Sequence, residues 1–160
     1  MNAALIALGG NLDSPRERVL GAFDALNALP GTRLVSRSGL YLSAPISDIP
    51  QPDYINAVAR IDTNLPPFEL LDALLGIEAA NGRRRDSLNA PRTLDLDLLM
   101  YGDTTMADPR LRLPHPRLHQ RLFVLLPLLE IAPDCVIPGI GRADGCLNAL
   151  SGQSISRLPD

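Results

Sequence analysis

Ala3 to Leu8 is an unbroken apolar run closed by Gly9-Gly10-Asn11, and it predicts a buried first strand followed by a tight strand-to-helix turn. Val19, Leu20, Phe23, Leu26 and Leu29 then recur at helical spacing. They follow Ser14-Pro15-Arg16-Glu17, which has the form of a capping box with proline at the first helical position. Pro30-Gly31 stops that helix. Leu34 to Tyr41 predicts a second strand, and Leu42 to Asp53, with Pro45, Pro50 and Pro52, a long loop of the kind that often carries function. Tyr54 to Ile61 alternates as a third strand, with Tyr54, Asn56 and Val58 on one face.

Pro66-Pro67 opens a second helix whose stripe is Leu70, Leu71, Leu74, Leu75 and Ile77. Glu78 continues that stripe toward the core, where a carboxylate needs a partner. Gly82 ends the helix and Arg83-Arg84-Arg85 follow, the economical partners for Glu78. Asp95 to Tyr101 predicts a strand that runs into the core. Arg110 to Arg117 is irregular, and Leu118 to Ile131 reads as a helix that Pro127 should kink or divide. The tail from Pro133 to Asp160 is weakly patterned, with one short strand expected near Cys135 to Pro138. Strand, helix, strand, strand, helix, strand is the ferredoxin-like βαββαβ order. The expected class is therefore α+β: an antiparallel sheet with helices on one face and a C-terminal extension.

Composition narrows the chemistry. The chain has 160 residues, which fits one domain spanning 1–160, and 46% hydrophobic with 21% charged residues is the balance of a soluble globular protein. No apolar run spans a membrane and no basic leader precedes Ala3, so a cytoplasmic protein without membrane contact is expected. Every basic residue other than the two histidines is arginine, which excludes a P-loop lysine, a Schiff base and a lysine nucleophile. The glycines do not fit GxGxxG, and Cys135 and Cys146 lack metal-ligand spacing. Between Arg83 and Arg121, eight arginines against five acids leave +3, whereas the rest of the chain, seven against thirteen, is −6. A basic segment inside an acidic chain suits a small anion better than a nucleic acid, and the arginine fork suits phosphate oxygens. An RNA-reading sheet would also need more than six aromatic residues to build its stacking platform.

The same segment holds Asp95-Leu96-Asp97. In a strand the two acids share one face, while Leu94, Leu96 and Leu98 take the other. Two neighbouring carboxylates repel unless a cation lies between them. Either arginines neutralise them, or they bind one or two magnesium ions. If the first and last strands associate with the third, Tyr54, Asn56, Asp95 and Asp97 converge at one end. Carboxylates for magnesium and arginines for phosphate oxygens are the two halves of a phosphoryl-transfer site.

Gly9-Gly10-Asn11, Tyr41 to Pro45, Pro52 to Asn56, Ile77-Glu78, Gly82 to Arg85, Pro91-Arg92-Thr93-Leu94-Asp95-Leu96-Asp97, His115 to Leu118 and Arg121 to Val124 occur in this order. Together they resemble the 6-hydroxymethyl-7,8-dihydropterin pyrophosphokinase family over nearly the whole chain. The resemblance implies transfer of pyrophosphate from ATP to the hydroxymethyl group of the reduced pterin, releasing AMP, in tetrahydrofolate biosynthesis. It implies that Asp95 and Asp97 bind two magnesium ions, and that Arg83, Arg92 and His115 hold the ATP phosphates with help from Arg85 and Arg121. Asp95, Asp97, Arg83 and Arg92 would be the catalytic set, with Asp97 also the candidate proton acceptor. Tyr54 and Phe123 would sandwich the pterin, while Asn56 and the stretch containing Ser43, Pro45 and Ile46 would read its edge. A monomer is expected, with Ser43 to Asp53 and Arg83 to Ala90 closing over ligands. The chain departs from the family pattern at Asn89, where a tryptophan is common, and at Leu75, where some members carry glutamine. The alternatives are a non-catalytic anion-binding regulatory module of the same fold and a different magnesium phosphotransferase.

Overall fold

The computed structural model describes residues 1–45, 50–82 and 91–160. Expectations placed on Ile46, Arg83 and Arg85, and most of those on the two closing segments, fall outside these residues. The elements run β1 (Asn2–Gly10), α1 (Pro15–Asn27), β2 (Thr32–Arg37), β3 (Tyr41–Ser43), β4 (Tyr54–Thr63), α2 (Pro67–Ala80) and β5 (Asp95–Tyr101), the βαββαβ order with its second strand in two pieces. There follow β6 (Met106–Ala107), β7 (Arg112–Leu113), α3 (Leu122–Ile131), β8 (Val136–Ile137), β9 (Gly141–Arg142) and β10 (Ile155–Arg157). The main sheet is antiparallel and ordered β10-β3-β4-β1-β5, and β2 pairs with the distal half of β4.

Both faces of this sheet are apolar. Ile6, Leu8, Ala57, Ala59, Ile61, Leu96 and Leu98 meet Val19, Phe23 and Leu26 of α1 and Leu70, Leu74 and Ile77 of α2. On the opposite face, Leu5, Ala7, Val58, Leu99 and Met100 meet Val124, Leu125 and Leu128 of α3, with Leu118, Ile137 and Leu150 closing a second core. Helices on one face alone, as expected, would have left this second row in water, and α3 covers it. Among the described residues no helix is long and apolar enough to cross a membrane.

Three local expectations are corrected and a fourth is extended. Ser14 lies in the left-handed region (φ 62°, ψ 61°) and makes no side-chain cap hydrogen bond, because a capping oxygen needs an extended N-cap backbone. Asp13 shares that conformation, and the Asp13 carbonyl instead accepts from Arg18 Nε at 2.7 Å. The expected strand over Leu34 to Tyr41 breaks at Ser38, whose Oγ accepts from Val58 N at 2.9 Å in place of a backbone carbonyl. α3 runs unbroken through the buried Pro127, and the break falls at Arg121, after a 3-10 turn over Leu118–Gln120. In the tail, the strand expected near Cys135 is half of the β8–β9 hairpin, whereas β10, which had no sequence signal, joins the main sheet.

Candidate active site

The site forms on the second face of the sheet, where small residues on β1 leave room between its two neighbours. Gly9 is opposite both Asn56 of β4 and Asp95 of β5, and Ala7 is opposite Val58 and Asp97. The amide and the acids therefore converge as expected, but across an intervening strand. A Cβ on Gly9 would stand 3.3 Å from Asn56 Oδ1, and one on Gly10 only 2.5 Å from the Thr93 carbonyl oxygen. The two glycines thus continue the strand and permit close approach; they do not form the expected tight turn.

Asn11 then ties both sides together. Its backbone N–H donates to the Arg92 carbonyl and its Oδ1 accepts from Arg92 N, both at 2.9 Å. Its Nδ2 donates to Gln51 Oε1 at 2.7 Å and to the Pro52 carbonyl at 2.8 Å. One buried amide thereby fixes the approach to the acids and the approach to Tyr54 relative to each other.

A cavity of about 560 Å³ opens above Gly9. Ser43, Pro45, Tyr54 and Asn56 line one part, Arg92, Asp95 and Asp97 another, and Arg121 and Phe123 the side formed by the start of α3. Among the described residues, every expected site residue except His115 lines it. His115 is held next to Arg117, its backbone N–H donating to the Leu99 carbonyl and its Nδ1 accepting from Arg117 N at 3.1 Å. Gln51, Arg117 and Gln120 also line the cavity and were not singled out from the sequence. Arg117 stands inside a quoted motif, and Gln51 lies between two prolines with no pattern to mark it.

The polar groups are held in fixed attitudes. Asn56 and Ser43 are buried, and Asn56 Nδ2 donates to Ser43 Oγ at 2.7 Å, which fixes which way the amide faces. Arg92 Nη1 donates to Asp95 Oδ2 at 3.1 Å. Burial and then the Asp95 charge push the Asp97 carboxyl up from its ordinary value to about 7, against the pull of Arg121. Burial also lowers the Arg121 guanidinium, which Asp97 opposes, and its Cζ lies 5.5 Å from the Phe123 ring centre. His115 is held below the ordinary imidazole value by burial and by Arg121 and Arg117. Beneath the acids, the buried Glu78 accepts from Leu96 N at 2.8 Å; the arginines expected to pair with it lie outside the described residues.

The donor set bears on whether magnesium fits. Among the described residues no cluster of three or more His, Cys, Asp or Glu could form an all-protein metal cage. Two carboxylates on one strand face, one of them raised by burial and by the charge of the other, suit instead an ion that takes one or two carboxylates and completes its shell with water and substrate phosphates.

Residues 5–133 match the family described as 7,8-dihydro-6-hydroxymethylpterin-pyrophosphokinase. The chain belongs to that family. Similar proteins include the 2-amino-4-hydroxy-6-hydroxymethyldihydropteridine pyrophosphokinase of Pseudomonas aeruginosa, 47% identical over 96% of this chain and 95% of the relative. The protein of the same name from Haemophilus influenzae is 48% identical over 86% of each chain. Among solved structures, Plasmodium falciparum HPPK-DHPS superposes with a TM-score of 0.73 at 13% identity, over 94% of this chain and 45% of that one. That likeness shows the α+β fold seen here.

Proposed function

We propose that this enzyme transfers pyrophosphate from ATP to the hydroxymethyl group of 6-hydroxymethyl-7,8-dihydropterin, releasing AMP, as a step of folate synthesis. The observation that carries the reading is that one cavity holds a buried, oriented amide with aromatic rings at one side and an acid pair flanked by arginines at the other. Its volume accommodates a small flat ring together with phosphates.

Asn56 and Ser43, with Pro45 and Ile46, read the pterin edge, and Tyr54 and Phe123 stack on its faces. Arg92 and Arg121, with Arg83, Arg85 and His115, hold the phosphates, and Asp95 and Asp97 hold two magnesium ions. Magnesium, when bound, neutralises phosphate charge and polarises the transferring group. The hydroxymethyl oxygen forms a bond to the β-phosphorus of ATP, the bond from that phosphorus to the oxygen bridging the α-phosphorus breaks, and AMP leaves with that oxygen. The hydroxyl proton passes to Asp97 or to water. Positioning and charge complementarity by the protein's own arginines contribute to the acceleration. The same reading places the protein in the cytoplasm as a single-domain monomer.

The test is the nucleotide product from ATP, magnesium and 6-hydroxymethyl-7,8-dihydropterin. AMP formed only when pterin and magnesium are both present supports the proposal. ADP would indicate a different phosphotransferase, and ATP binding without turnover the regulatory module.

A further inference from the structure

Arg121 joins the 3-10 turn Leu118–Gln120 to α3 with extended backbone, φ −124° and ψ 112°. Local sequence does not mark that break, since Leu118 to Ile131 carries a helical pattern whose expected interruption is at Pro127 and not at Arg121. Nor does Arg121 stabilise the break as a helix cap, because its side chain makes no cap hydrogen bond and lies instead over Phe123, toward Asp97.

What holds residue 121 extended comes from the tail. In an extended residue the preceding C=O and the following N–H point to the same side. Here a single side chain engages both. Gln153 Nε2 donates to the Gln120 carbonyl and Gln153 Oε1 accepts from Leu122 N, each at 2.9 Å. The primary amide pairs with the two peptides flanking Arg121 as a neighbouring strand would.

Gln153 is itself anchored. Its own N–H donates to the carbonyl of Leu150, which is buried in the second core. Two residues on, β10 pairs with β3, and Arg157 reaches Glu130 near the far end of α3 at 3.2 Å. The tail therefore bridges the two elements that carry Ser43 and Arg121, although it lies outside the matched residues 5–133.

We propose that Gln153 is a positioning residue for Arg121: its amide keeps residue 121 out of the helix, so that the guanidinium faces the acid pair. This rests on the phosphate-binding role given to Arg121 above. Without the amide, residue 121 is free to turn helical and to swing the guanidinium away.

The experiment measures AMP formation and thermal melting for the full chain carrying Gln153→Ala, Gln153→Glu, Arg121→Ala, or Gln153→Ala with Arg121→Ala. Gln153→Ala is expected to lower kcat/KM for ATP about tenfold, the scale of a small misplacement of a binding group. Its Tm should stay within about 2 °C, because an exposed side chain is removed. In the Arg121→Ala background the same change should have no further effect. Gln153→Glu, which keeps the acceptor for Leu122 N–H, should recover part of the loss. The proposal is overturned if Gln153→Ala stays within about twofold of the parent, or if it costs the same factor with and without Arg121. It is also overturned if activity merely follows a lowered Tm in both Gln153 variants. Unimpaired turnover by Arg121→Ala would instead overturn the role of Arg121, and this inference with it.

Discussion

Asp97 should destabilise the folded protein that carries it. Burial and Asp95 hold its carboxyl near 7, against 3.8 for an unperturbed group. Between those values the folded chain keeps a proton that the unfolded chain has released, so stability falls as pH rises, by about 1.4 kcal/mol per pH unit, and levels off above pH 7. The shift of about three units corresponds to an upper bound of about 4 kcal/mol of strain at pH 8 without metal. Asp97→Asn removes the charge and keeps the shape, at the cost of amide hydrogens left short of partners. A net gain of about 1–3 kcal/mol is therefore expected at pH 8, a rise in Tm of roughly 3–10 °C. At pH 4 the parent carboxyl is protonated and the advantage should vanish. Urea unfolding of parent and variant at both pH values, in chelator, measures this directly. Magnesium should stabilise the parent at pH 8 more than the variant, by mass action on the bound form, and the variant should lose turnover. An Asp97→Asn protein no more stable than the parent at pH 8, or one whose advantage is the same at pH 4, would refute the reasoning.

Gly10→Ala forces a Cβ against the Thr93 carbonyl oxygen, a backbone atom that cannot step aside without moving the lead-in to Asp95. It should cost about 1–3 kcal/mol in urea unfolding and lower turnover. Asn11→Ala removes the side-chain bonds to Arg92, Gln51 and Pro52 and leaves buried groups unmatched, so it should cost about 2–3 kcal/mol and raise KM for both substrates. Tyr54→Ala and Phe123→Ala should each weaken pterin binding in calorimetry by about tenfold while leaving ATP binding within twofold; unchanged pterin affinity would remove the ring sandwich.

The sequence made legible what depends on period and on side-chain type. Alternation placed Asp95 and Asp97 on one face and Leu96 and Leu98 on the other, and the structure keeps that division. The stripe that ran on to Glu78 marked it as inward-facing, and it is buried. What escaped depends on partners distant in the chain. Gly9 and Gly10 read as a turn because nothing local shows that Asn56 and Thr93 approach them. The second apolar face was hidden because Leu5, Ala7 and Val58 alternate with residues equally apolar, so no polar side was left to reveal that another layer lay beyond. The break at Arg121 was missed for the same reason: its cause, Gln153, is in the tail. Pro127 was overweighted as a helix breaker in a segment that packing holds together.

The position of β1 also has a kinetic meaning. β1 is an interior strand that precedes both of its neighbours in the chain: β4 is separated from it by one helix and two short strands, and β5 by two helices and most of the sheet. Neither side of β1 can be zipped by a local hairpin, so the long loops must be closed before any ladder rewards their closure. During synthesis this apolar strand therefore waits until Thr63 has emerged to pair one edge and until Tyr101 to pair the other, and the nascent chain is most vulnerable to sticking to its neighbours during that interval.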